Sequence, residues 1–336
     1  MKLLITGGAG FMGSNFIHYL LNNYPDYQIV NFDKLTYAGN LDNLSHVENN
    51  KNYQFIQGDI ASQADLKKLK KHKFDALVNY AAETHVDRSI LSPLEFSHTN
   101  ALGTHELLEF TRRGQAKKMI QISTDEVFGE TQTKEFFEDS PMRPNSPYSA
   151  SKAAGDLMCA AYVRTFKTPV IVAHSCNFYG PYQYPEKFIA LSVTNLIQGK
   201  KIPIYGSGSN VREWIYTQDH CRAIDLLLHQ AETGRVFNIG TQERFTNLEI
   251  AEIILKKFNL DKSRLEFIQD RPGHDFRYAV NSDKLKKLGW QPQTKFMQGI
   301  EQTIKWYQEH QSWWRKLQDK NYQQYYQAQY KAKGLS

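Results

Sequence analysis

The stretch TGGAGFMG at residues 6–13 sits between an apolar run, Leu3 to Thr6, and a segment with helical periodicity, Phe16, Ile17, Tyr19, Leu20 and Leu21. A turn this dense in glycine, between a strand and a helix, lets the backbone approach a ligand closely and points the unpaired N–H groups of the helix start at it. Asp33 ends the next β-branched run, 20 residues after Gly13. That spacing is what an acid accepting hydrogen bonds from ribose hydroxyls requires, and its charge repels a 2′-phosphate. The turn therefore points to NAD rather than NADP.

The rest of the first half repeats the pattern. Strand-like runs recur at Ile29–Asp33, Tyr53–Gln57, Ala76–Tyr80, Met119–Ser123, Val170–His174 and Val236–Ile239, with helical segments between most of them. Alternating strands and helices predict an α/β fold, a Rossmann-type doubly wound parallel sheet. After Cys176 the texture changes to NFYGPYQYPEKF and KKIPIYGSGSNVREW, rich in Tyr, Pro and Gly. Loops of that kind build binding walls, which predicts a smaller, interleaved C-terminal α/β substrate domain. The division expected is 1–176 and 215–243 for the NAD-binding domain, 177–214 and 244–315 for the substrate domain, and a tail at 316–336. A last helix is expected near Met297–Trp314. The Gln, Tyr and Lys content of the tail suggests a weakly ordered or partner-dependent end.

Composition narrows the function classes. The chain has 336 residues, a formal charge of +6 and basic residues spread along its length. The densest basic run, Lys67 to Lys73, reads as a solvated helix face rather than a nucleic-acid patch. Three cysteines without a C-x-x-C pair predict no disulfide framework and a reducing cytoplasm. No metal-ligand spacing is present. No stretch has the length of a signal-peptide core or a membrane span, so no membrane association is expected.

Two clusters carry chemistry. STDEVFGE places Thr124, Asp125 and Glu126 directly after a strand-like run. Adjacent carboxyls at the mouth of a buried strand repel and desolvate each other, which separates their acidities into one acid and one base. PYSASK puts Tyr148 and Lys152 four apart at a helix start, on one face. An ammonium beside a phenol favours phenolate below its usual pKa of about 10.

Taken together, TGGAGFMG, Asp33, AAETHVDRS at 81–89, STDEVFG, SPYSASKAAGD, GPYQYPEK, NVREW, DRPGHDFRY and GW resemble the extended short-chain dehydrogenase/reductases that act on nucleotide sugars, most closely those that remove water across C5 and C6. The resemblance runs from Met1 to about Trp314. It implies that Tyr148 takes the 4-hydroxyl proton while NAD accepts the hydride, that Thr124 hydrogen-bonds the 4-oxygen, that Glu126 removes the C5 proton, and that Asp125 protonates the departing 6-hydroxyl. The cofactor pocket would comprise Gly7, Gly10, Phe11, Met12, Gly13, Asp33, Lys34, Thr36, Asp59, Ile60, Ala81, Ala82, Thr99, Tyr148, Lys152 and Phe178. For Asp59 an N-cap reading stands beside the adenine contact.

On the substrate side the resemblance implies Thr84, Asn177, Lys187, Phe188, Pro203, Tyr205, Arg212, Asn247, Arg271 and His274. A dTDP-hexose is the expected substrate, with UDP-glucose, UDP-N-acetylglucosamine or a 4-epimerase reaction as alternatives, and deoxysugars such as rhamnose downstream. A homodimer through a four-helix bundle of Pro93–Arg113 and Pro147–Phe166 is expected, with no nucleic-acid partner. Three positions depart from the pattern: Phe178 stands for an amide, Glu213 for an aspartate and Phe128 for a tyrosine.

Overall fold

Every β-branched run identified above forms a strand. The protein is seen in a computed structural model describing residues 1–330, 334 and 335; Lys331, Ala332, Lys333 and Ser336 of the expected tail lie outside the described residues. In chain order the strands are β1 (Lys2–Thr6), β2 (Gln28–Asp33), β3 (Tyr53–Gln57), β4 (Ala76–Asn79), β5 (Met119–Thr124), β6 (Val170–Ser175), β7 (Asn177–Tyr179), β8 (Ile202–Tyr205), β9 (Val211–Tyr216), β10 (Val236–Ile239), β11 (Arg244–Thr246) and β12 (Leu265–Ile268).

Seven of them make one parallel sheet in the order β3-β2-β1-β4-β5-β6-β10. Its strands are apolar on both faces because both are covered. Leu3 and Ile5 pack with Phe16, Ile17, Ile224 and Leu227 of the helices Phe11–Asn23 and Thr217–Gln230. Leu4, between them, packs on the opposite face with Leu107, Leu108 and Cys159 from the helices Thr104–Arg112 and Pro147–Phe166. The strand order reverses between β1 and β4, and a parallel sheet opens a ligand crevice at the carboxyl ends there.

A second lobe stands over that crevice. β7 pairs with β9 in parallel and β9 with β11 antiparallel, while β8 and β12 pair in parallel. Its core holds Ile189, Val193, Trp214, Ile250, Ile300, Tyr307 and Trp314. The segment around Leu285 and Trp290, assigned above to this lobe, packs instead into the core of the large sheet, where Trp290 Nε1 donates to the Asp219 carbonyl at 3.1 Å.

Three local differences from the expectation have physical reasons. The last helix is split at His310 into Phe296–Glu309 and Gln311–Leu317, which turns Trp313 and Trp314 inward to donate to Asn43 Oδ1 and the Tyr307 carbonyl, both at 2.8 Å. The segment Pro93–Arg113 contains a π-helical stretch, Ser97–Gly103. Gly155 faces that stretch, and a Cβ there would come within 2.9 Å of the Asn100 carbonyl. The tail is ordered over Lys320–Gln329, where a weakly ordered or partner-dependent end was expected. Tyr322, Tyr326 and Tyr330 recur every four residues and bury one helical stripe against Leu191 and Ile268.

Candidate functional site

The crevice begins at the glycine turn. Gly7 has φ +69°, and a Cβ on it would lie 2.5 Å from the Ala81 nitrogen; at Gly13 a Cβ would lie 2.2 Å from the Gly7 carbonyl oxygen. Gly10 precedes the helix Phe11–Asn23 without a side-chain cap, so the first N–H groups of that helix face the cleft as donors for a diphosphate. Asp33 is buried and accepts from Ala9 N at 2.9 Å and Leu35 N at 2.8 Å. Lys34 is paired with Asp59 at 2.8 Å, so its charge is engaged beside Asp33 rather than free to hold a 2′-phosphate. Asp59 also accepts from Ala61 N at 2.8 Å; it turns the backbone and lines the cleft at once, whereas the cap of the next helix is Ser62. Phe11, Met12, Thr36, Ile60, Ala81, Ala82, Thr99 and Phe178 line the same space. These residues fit a dinucleotide: the cradle is one that a single Cβ would fill.

Next along the cleft lies the acid and base cluster. β5 ends at Thr124, whose hydroxyl accepts from Glu126 N at 3.2 Å and contacts Asp125 Oδ1 at 3.3 Å, fixing the turn Asp125–Phe128. Asp125 Oδ2 and Glu126 Oε2 are buried and have no hydrogen-bond partner among the described residues. Burial raises both carboxyls, but their neighbours differ. Glu126 and Glu213 add to the rise at Asp125, which stands well above the usual carboxylate range. At Glu126 the cations Arg271, Arg212 and Lys187 oppose the rise.

The helix Pro147–Phe166 starts at a Ser146–Ser149 capping box and delivers Tyr148 and Lys152 to this cluster. The lysine is also anchored to the sheet. Its Nζ donates to the Ile122 carbonyl at 2.6 Å. Burial, followed by the Glu126 charge, pushes the Tyr148 phenol up, with Thr124 pulling the other way. Burial likewise pushes Lys152 down toward neutrality.

The far end of the cleft is cationic and then aromatic. Arg212 is buried and donates to the carbonyls of Val211, Phe276 and Asp275 at 2.9, 3.3 and 2.9 Å, its guanidinium 4.3 Å from the centre of the Tyr278 ring. Arg271 pairs with Asp87 at 3.2 Å and leaves its Nε without a partner among the described residues. Although burial favours the neutral acid, His85 and Arg271 hold the Asp87 carboxyl down at about 2. Tyr205 donates to Asp87 Oδ2 at 3.1 Å, and its ring lies 6.1 Å from His274. Thr84, Asn177, Lys187, Phe188, Pro203 and Asn247 complete the wall.

The structure thus brings every site residue named from the sequence around one cleft. It adds others that the motifs did not single out. Glu83, with its carboxyl pushed up to about 7 by burial, lines the cofactor side. Tyr330 of the tail helix lines the aromatic end, its ring 6.1 Å from Tyr205, while Gln329 donates to the Tyr205 hydroxyl at 2.6 Å. The tyrosine repeat of the tail was the available signal. Of the three departures, Glu213 is fully buried in an ion pair with Arg244 at 2.8 Å, Phe128 stacks on Phe136, and Phe178 meets His220 edge-on at 4.6 Å. Among the described residues, no group of three or more His, Cys, Asp or Glu is arranged to hold a metal.

Comparison with known proteins follows the same outline. The family model described as GDP-mannose 4,6 dehydratase matches residues 4–303. A curated dTDP-glucose 4,6-dehydratase from Streptomyces niveus is 45% identical, over 94% of this chain and 96% of the relative. The crystal structure of dTDP-glucose 4,6-dehydratase from Bacillus anthracis in complex with NAD superposes with a TM-score of 0.89 at 45% identity, covering 94% of this chain and 99% of that one. The enzyme DesIV from Streptomyces venezuelae, a dTDP-glucose 4,6-dehydratase crystallised with NAD bound, gives 0.91 at 44% identity, covering 94% and 100%.

Proposed function

The chain belongs to the dTDP-glucose 4,6-dehydratase family, and from that premise we propose that it is a hydro-lyase converting dTDP-glucose to dTDP-4-keto-6-deoxyglucose and water. Its cofactor is NAD, which supplies the hydride acceptor at C4 and returns the hydride at C6. Tyr148 takes the proton of the 4-hydroxyl, and Thr124 hydrogen-bonds the 4-oxygen. Once C4 is a ketone the C5 proton is acidic; Glu126 removes it and returns it to C5 as the hydride arrives at C6. Asp125 gives its proton to the 6-hydroxyl as water leaves. Lys187, Arg212 and Arg271 balance the charge of the diphosphate.

The observation that carries this reading is the contrast between the two carboxyls. Elimination needs an acid and a base at one pH, and carboxylates outnumber cations around Asp125 while cations outnumber carboxylates around Glu126. A 4-epimerase needs Tyr148 and Lys152 but has no use for that pair. The test is incubation with dTDP-glucose, UDP-glucose and UDP-N-acetylglucosamine, following the alkaline absorbance of a 4-keto sugar and loss of water by mass spectrometry. Water loss from the dTDP sugar, abolished in Asp125→Asn/Glu126→Gln, is expected. Epimerisation without water loss would sink the reading.

The chain acts as a homodimer. Supporting this, Leu94 and Leu102 are exposed on Pro93–Arg113 and Leu157 and Phe166 on Pro147–Phe166, apolar side chains suited to a second copy packing as a four-helix bundle. Three buried free cysteines accord with a reducing cytoplasm. No helix among the described residues is long and apolar enough to cross a membrane.

A further inference from the structure

The helix Pro147–Phe166 carries Tyr148, Lys152 and Asp156 at four-residue intervals, so one stripe meets β5 and β6. Lys152 Nζ donates to the carbonyl of Ile122 at 2.6 Å. The next residue on that strand, Ser123, donates its hydroxyl to Asp156 Oδ2 at 2.5 Å, and His174 Nε2 on β6 lies 3.1 Å from the same oxygen. Ammonium and carboxylate are therefore fastened to consecutive residues of one strand without direct contact. Both are buried, and Asp156 Oδ1 has no hydrogen-bond partner among the described residues.

A buried carboxylate and a buried ammonium are each costly alone; Asp156 is met directly by Ser123 and His174, and Lys152 lies one helical turn away on the same stripe. Burial drives Lys152 toward its neutral form, and Asp156 is the first influence opposing it, followed by Cys159. The charges that bear on Tyr148 are the carboxylates of Glu126, Asp125 and Asp156. Lys152, four residues along the helix from Tyr148, is the cation on the same stripe. We propose that Asp156, held by Ser123 and His174, is a positioning residue that keeps Lys152 in its ammonium form beside Tyr148. The inference rests on the role given above to Tyr148 as the base for the 4-hydroxyl. Asp156 also repels a phenolate, but it is one helical turn from Lys152, about 6 Å of rise, and two from Tyr148, about 12 Å. The proposal requires attraction to the nearer lysine to outweigh repulsion of the farther phenolate.

The test uses the full-length holoenzyme. In Asp156→Asn the acidic limb of the kcat/KM profile should move up by about one pH unit, with activity at pH 7 down about tenfold, carried by kcat rather than KM. Asp156→Glu should restore part of the shift. Ser123→Ala, which loosens the carboxylate but keeps its charge, should move the limb less and in the same direction, and it serves alone if Asp156→Asn fails to fold. A limb that stays in place while thermal stability drops would reveal a purely structural role, and a downward shift would mean that repulsion of Tyr148 dominates; either overturns the proposal. A direct readout needs no turnover: with ε-13C-labelled lysine, the Lys152 signal, assigned by its loss in Lys152→Met, should titrate about one unit lower in Asp156→Asn. An unchanged midpoint overturns the proposal even if the wild type fails to dehydrate dTDP-glucose, a result that would count only against the assigned substrate.

Discussion

Asp125 and Glu126 are neighbours in the chain and are both raised by burial, but their charged surroundings differ: Glu126 and Glu213 add to the rise at Asp125 against Arg212, whereas Arg271, Arg212 and Lys187 oppose it at Glu126 against Asp275. If this contrast assigns acid and base, the two conservative amide variants should fail at different steps. Glu126→Gln should stop exchange of the C5 hydrogen with deuterated water as well as dehydration. Asp125→Asn should retain C5 exchange and lose water release, each falling by about 10²–10⁴ in rate. Exchange measured by NMR alongside product mass decides it, and equal loss of exchange in both variants would remove the assignment.

Much of this site was legible before any coordinates. Apolar β-branched runs at intervals gave β1 to β6 and β10, because strands buried on both faces must be apolar at successive positions. Gly7 and Gly13 were legible since only a missing Cβ permits their contacts. The order of the tail was not legible from its Gln and Tyr content, while the decisive signal was the spacing of Tyr322, Tyr326 and Tyr330. The Ile122 carbonyl as the Lys152 acceptor was invisible, since the helix spacing that aligns Tyr148 with Lys152 says nothing of what the ammonium touches across the sheet. The Ser123–Asp156–His174 network joins three elements distant in sequence, and no local pattern encodes it.

Tyr330 closes the aromatic end of the cleft with Tyr205 and His274, beyond the cations suited to a diphosphate. A planar base stacked there would lose one wall in Tyr330→Ala. The expected outcome is a KM for dTDP-glucose raised about tenfold with kcat within about twofold, matching the typical loss of one aromatic contact. Steady-state kinetics with a parallel titration of dTDP by calorimetry checks it. Unchanged affinity in a folded variant would place the base elsewhere.

Leu157 is 60% exposed and Leu94 80% exposed on the helices proposed to meet a second copy. In a two-fold interface each substitution appears twice, so one buried charge is doubled in effect. Leu157→Arg should halve the mass seen by light scattering at micromolar concentration, leaving the circular dichroism of the fold intact. A wild type that already scatters as a monomer would dispose of the dimer.

Glu83 gives the protein a pH dependence of stability with a definite sign. Burial, with Glu95 beside it, pushes its carboxyl up to about 7 against the opposing pull of Lys34 and Arg88. The folded chain therefore binds this proton more tightly than the unfolded chain, whose glutamate titrates near 4.5. The Glu83 contribution is fully present below about pH 4.5 and is lost as the pH rises through about 7. Glu83→Gln cannot lose a proton and should escape that loss. Relative to the wild type, the variant should gain on the order of 2 kcal/mol between pH 4.5 and pH 8. Urea unfolding of both proteins across that range measures it. A difference that stays constant with pH would mean that Lys34 and Arg88 already hold Glu83 ionised, placing an additional negative charge on the cofactor side of the cleft.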